Sequence, residues 1–129
     1  MTSLKTAELR FYHLCQPRES FTQHVADEVF FDKDVYVLGF DGAVSSFRNL
    51  HVETWLWVDG EDIVKPFGHV ICNWECWWLY WRRMGNNAGV IPAPGLLVKK
   101  GTSLKLGVWW DNMNDVARDF HCKTSVYFK

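Results

Sequence analysis

The sequence has none of the patterns that usually give a function away. Its 129 residues hold no block of Lys and Arg, and the formal charge is −1. The electrostatic footprint that phosphate backbones require is missing, so nucleic acid is not an expected partner. Apolar runs are interrupted by Asn73, Glu75, or Lys and Gly. None approaches the roughly 18 residues needed to cross a bilayer, so no membrane span is expected. The N-terminal MTSLKTAELR is charged and has no apolar segment of signal-peptide type, so no cleaved leader is expected.

Chemical motifs are also scarce. There is no CxxC, HxxxH or HxH pair among five histidines and four cysteines. His121 and Cys122 are neighbours on opposite faces of a strand, which is poor for chelation. No metal and no other cofactor is therefore expected. Ser45, Ser46, His51 and Asp59 make a triad only on paper, because no GxSxG elbow surrounds either serine. The carboxylate pairs Asp32/Asp34 and Glu61/Asp62 sit beside turns, where acidic residues serve the turn itself. The stretch Gly85 to Gly89 lacks the Lys-Ser/Thr of a phosphate loop. Enzymatic activity is not expected, and a metal-dependent enzyme ranks third among the functional readings.

Cys15, Cys72, Cys76 and Cys122 are the four cysteines. On one strand, Cys72 and Cys76 would lie about 13 Å apart at about 3.3 Å per residue. A disulfide needs Cα atoms within about 7 Å, so these two do not bond each other, although either could meet Cys15 or Cys122. Small buried thiols in a reducing, cytoplasmic setting are the plain expectation.

What is present is mostly strand. The chain is 48% apolar, enough for a real core, and its length suits one domain over 1–129. In Ile91 to Asn112, Pro92, Pro94 and Gly95 break the chain and Leu96 to Val98 is a short apolar run. Lys99 to Thr102 is a turn. Leu104, Leu106, Val108 and Trp110 then alternate with Lys105, Gly107, Trp109 and Asp111, the period of a strand with one buried face. Residues 8 to 14 alternate weakly, as an edge strand. Ser20 to Gln23 reads as a short extended piece, and Val35 to Phe40 is rich in strand formers. Asp41-Gly42 and Asp59-Gly60 read as turns, the second as a hairpin followed by a strand over Glu61 to Lys65. His51 to Val58 places Val52, Thr54, Leu56 and Val58 on one face and His51, Glu53, Trp55 and Trp57 on the other. His69 to Trp81 reads as a strand, Arg82 to Gly89 as a loop, and Phe120 to Phe128 as a clean one-sided strand. Short strands joined by Gly, Pro and Asp turns predict an all-β, antiparallel β-sandwich, with a jelly roll as the expected topology.

Eight tryptophans give the best functional clue. The registers place Trp74, Trp78 and Trp110 in the core and Trp55, Trp57, Trp77, Trp81 and Trp109 on outer faces. Such an aromatic patch marks an interface or a ligand site unless loops cover it. Asn73, Glu75 and Arg82 complete the predicted binding set. Indoles of this kind serve as interface hot spots or as platforms for sugar rings, with Asn73, Glu75 or Asp111 binding hydroxyls.

The stretch PAPGLLVKKGTSLKLGVWWDN, with the closing SVYFK, resembles small jelly-roll modules of viruses and tailed phages. The resemblance covers about the last 40 residues and matches no site residue by residue. It implies a non-enzymatic virion decoration or appendage protein, or a receptor- or glycan-binding module, usually oligomeric. The leading expectation is a structural or attachment subunit of a multi-subunit assembly, located in a virion. Carbohydrate binding is the alternative.

Overall fold

The computed structural model describes residues 4–58, 70–72 and 83–129, with 70–72 and 83–89 described as backbone. Nine strands are described: β1 (Lys5–Cys15), β2 (Ser20–Phe30), β3 (Val35–Ser46), β4 (Leu50–Val58), β5 (Val70–Cys72), β6 (Arg83–Val90), β7 (Leu96–Val98), β8 (Ser103–Asn112) and β9 (Arg118–Phe128). They form two antiparallel sheets packed as a sandwich. One has the order β1-β9-β3-β6, with β7 also pairing β3, and the other β2-β8-β4-β5. The pairings are nested. The first strand lies against the last and the second against the last but one, while β3 pairs with β6 and β7, and β4 with β5.

Alternation explains why these segments take this form. On β8, Leu104, Leu106 and Val108 are fully buried and Trp110 is 2% exposed. On β9, Phe120, Cys122, Thr124 and Val126 point inward. On β4, Val52, Thr54, Leu56 and Val58 do so. These two inner faces meet Leu9 of β1, Val35, Val37 and Val44 of β3, and Leu96 and Val98 of β7 in one core cluster. Removal of this apolar area from water is the main stabilising term.

Two turn or loop expectations are corrected. Asp41-Gly42 does not turn. It sits mid-way along β3, with Asp41 opposite Ser125 on one side and Ala88 on the other. Strands on both flanks satisfy the backbone there, and inward Val44 and Ser46 continue the alternation, so sheet pairing overrides local turn chemistry. Residues 83–89 are likewise strand, not loop, because β6 pairs along β3 from Ser46↔Arg83 to Gly39↔Val90. The ladder holds that segment through its backbone, which needs no strand-forming side chains. β1 and β2, like β3, are longer than expected. β1 runs from Lys5 to Cys15. β2 runs from Ser20 to Phe30 and takes in Val29 and Phe30 of the predicted apolar patch. An irregularity between Gln23 and Asp27 interrupts its register against β8, which breaks the period that reveals a strand. The Asp59-Gly60 hairpin, the Glu61 to Lys65 strand, His69 and residues 73–82 lie outside the described residues. Val70–Cys72 pairs with β4 as a strand.

Turn chemistry holds β7 in place. Gly95 adopts φ +99, and its N–H donates to the Pro92 carbonyl at 2.8 Å. A Cβ there would lie 2.6 Å from the backbone oxygen of Val37, so only glycine fits both the dihedral and the space. Gly95→Ala is expected to destabilise the fold by about 1–3 kcal/mol, read from denaturant midpoints. An unchanged midpoint would show that this close approach is not required.

Candidate functional site: two faces beside the edge strands

Of the predicted aromatic set, three members are described, and all face outward from the second sheet. Trp55, Trp57 and Trp109 are half-buried. Trp55 lies opposite Gly107, where an added Cβ would come within 2.1 Å of the indole, so the ring rests on the glycine backbone. The Lys105 ammonium sits 5.0 Å from the Trp57 ring, and the Trp57 Nε1–H donates to the His24 carbonyl at 3.3 Å. His51 meets Trp109 edge-on at 5.0 Å. Lys105, expected on the outer face, is there but only 7% exposed. Its ammonium donates to Ser103 Oγ, which donates in turn to Glu28 Oε2, each at 2.8 Å. The three described outer tryptophans are thus each packed against a neighbouring residue. Asn73, Glu75, Trp77, Trp81 and Arg82 lie outside the described residues.

The paper triad is not assembled. Ser46 is buried in the first sheet and donates to the Leu50 carbonyl at 3.2 Å, whereas His51 faces out of the second sheet. Asp59 lies outside the described residues. Asp34, from one of the carboxylate pairs, accepts the Lys100 backbone N–H at 2.8 Å, a tie between two turns.

A second constellation escaped the sequence reading. β1 carries His13 and Cys15 two residues apart, so both project from its inner face. A turn whose Glu19 N–H donates to the Gln16 carbonyl brings Glu19 back against them. One Glu19 oxygen, Oε2, lies 2.6 Å from His13 Nε2 and accepts the Trp110 Nε1–H at 2.6 Å. Burial acts to raise the Glu19 pKa. Hydrogen bonds from His13, Trp110 and the Gln16 N–H outweigh it and hold the group below the usual carboxylate value. Burial, reinforced by the charges of Glu19 and Asp119, pushes the Cys15 thiol up to about 12. Cys15 and Cys122 are free and buried, as the plain cysteine reading expects. Ligand atoms of His13, Cys15 and Glu19 all lie within 4.8 Å of one another. Beside them opens a cleft of about 320 Å³ lined by Phe11, Phe21, Gln23 and Trp110. The Trp110 ring packs 4.4 Å from His13 and 5.4 Å from Phe21, centroid to centroid. The signal was available as His13-x-Cys15 on an inward strand face. A search limited to the spacings CxxC, HxxxH and HxH passes over it.

The third feature is the open side of the sandwich. β1 and β2 each form one edge of their sheet, opposite the β6 and β5 ends, and follow each other in sequence. Among the described residues, Leu4, Tyr12, Leu14, Phe21, Val25 and Phe30 are exposed apolar side chains on or next to these strands, with only Tyr36, Val90, Met113 and Val116 elsewhere. The Arg10 backbone N–H donates to Asp27 Oδ2 at 2.7 Å, which occupies a donor on the edge of β1.

Gly107→Ala is expected to drive the Trp55 ring off the sheet. The outcome is a loss of about 1–3 kcal/mol together with a changed tryptophan emission spectrum, measured by denaturant melts followed through fluorescence. An unchanged spectrum would mean that the indole does not rest on that backbone.

No family model matches the chain. No curated protein matches it. Among solved structures it is similar to a chain from the structure of infectious bursal disease virus, Gx strain, with 11% identity and a TM-score of 0.33. The match covers 97% of this chain and 32% of that one. The chain therefore spans about a third of the length of the solved chain it matches.

Proposed function

We propose that this protein is a non-enzymatic structural or attachment subunit that associates with further copies of itself through the β1–β2 side of the sandwich. The carrying observation is that exposed apolar side chains gather along two adjacent edge strands. Unpaired edges rimmed by apolar groups are surfaces that a partner covers. The near-neutral charge leaves like copies with little mutual repulsion. Because Asp27 takes up the Arg10 N–H, contact runs through side chains more than through sheet extension. The nested strand order fits a jelly roll, and the segment that resembles virion modules folds as β7, a turn and β8. Both support a decoration or appendage protein of a virion as the form the assembly takes.

Light scattering and sedimentation of the full chain test this reading. Oligomers are expected, and Tyr12→Ser combined with Phe21→Ser should shift them to monomers with unchanged circular dichroism. A wild-type chain that stays monomeric at every concentration would sink the proposal. Carbohydrate binding is the second reading, favoured by the Trp55 ring resting against Gly107 at the outer face. Oligosaccharides should then quench tryptophan fluorescence, and Trp55→Ala should remove the response. No quenching across a glycan panel would end that reading.

A further inference from the structure

We propose that His13, Cys15 and Glu19 bind a zinc ion at the turn between the two edge strands. A nitrogen, a sulfur and a carboxylate oxygen form the donor set that zinc accepts, and a cysteine sulfur selects against calcium and magnesium. In a tetrahedral zinc site the ligand atoms lie about 3.3–3.6 Å apart, as follows from bonds of about 2.0–2.3 Å. Here the three donors are already within 4.8 Å, so a small side-chain adjustment closes the site.

The surroundings suit a cation. Cys15 is fully buried, and its sulfur lies in the field of two carboxylates, Glu19 and Asp119. A divalent ion would relieve that concentration of negative charge as the thiol proton leaves to solvent. The Trp110 N–H already fixes Glu19 Oε2, the kind of outer hydrogen bond that orients a ligating carboxylate. The neighbouring cleft leaves room for water as a fourth ligand. Such a site would fasten the end of β1 to the residue that precedes β2. It does not depend on the self-association proposed above.

The test uses the full chain, stripped with a chelator and then titrated with cobalt(II) and zinc(II). One cobalt per chain is expected, with a thiolate-to-cobalt charge-transfer band that zinc bleaches, and zinc should raise the melting temperature. Cys15→Ser should abolish the band. His13→Gln should weaken binding by at least about tenfold, since even outer-shell changes have effects of that size. A Cys72→Ser/Cys76→Ser double variant should keep both band and stoichiometry. Should Cys15→Ser fail to fold, His13→Gln at its half-buried position decides the matter. Absence of stoichiometric cobalt uptake by the wild type overturns the site. So does uptake that survives His13→Gln unchanged, or that vanishes only in the Cys72/Cys76 variant.

Discussion

The inward face of β8 is the constraint on which the rest of the molecule depends. The strand lies between β2 and β4, so its side chains meet the opposite sheet at the middle of the sandwich. Leu104, Leu106 and Val108 fill that interior. Trp110 does more. Its ring packs against Phe11, His13, Phe21 and Phe120, and its N–H holds Glu19. One residue thus joins the core, the β1–β2 turn and the cleft beside it. Two residues on, Asn112 continues the work. Its amide donates to the Gln16 and Val116 carbonyls, and its oxygen accepts from Asn114. The end of β8 in this way ties together the β1–β2 and β8–β9 connections.

Strands with one clean apolar face were legible from the chain alone. β4 and β9 show their buried sets at period two, through to Phe120, Cys122, Thr124 and Val126, whereas β8 is covered on both faces from Ser103 to Val108 although its apolar residues alternate as expected. Local chemistry misled where flanking strands decide. Asp41-Gly42 has the composition of a turn, yet β6 and β9 on either side hold it extended. In residues 83–89, Gly and Asn hide a strand whose ladder is made by backbone alone. The irregular register of β2 erased its period between Gln23 and Asp27. Strand order was beyond reading, since nested pairing joins segments far apart in the chain.

The site was legible only in part. Outward placement of Trp55, Trp57 and Trp109 followed from alternation. Their coverage did not, because it depends on a glycine opposite one ring and a lysine over another, which only register brings together. His13, Cys15 and Glu19 meet because a turn folds back on a strand, a relation that no fixed spacing encodes. The edge position of β1 was legible in the weak alternation of residues 8 to 14, but that of β2 was hidden, since its place at the edge depends on the pairing of the whole sheet.

The pairing of β1 with β9 bears on synthesis at the ribosome. Lys5 to Cys15 emerges before its ladder partner Arg118 to Phe128, and the other described strands are made between them. A nascent chain therefore carries β1 without its ladder neighbour while the strands between are made, and β2 likewise waits for β8. Non-local pairing of this kind slows folding, and exposed edges in the interval invite contact with other nascent chains. The Arg10 N–H held by Asp27 requires only β1 and β2, so it is available early, as a guard on the strand that waits longest.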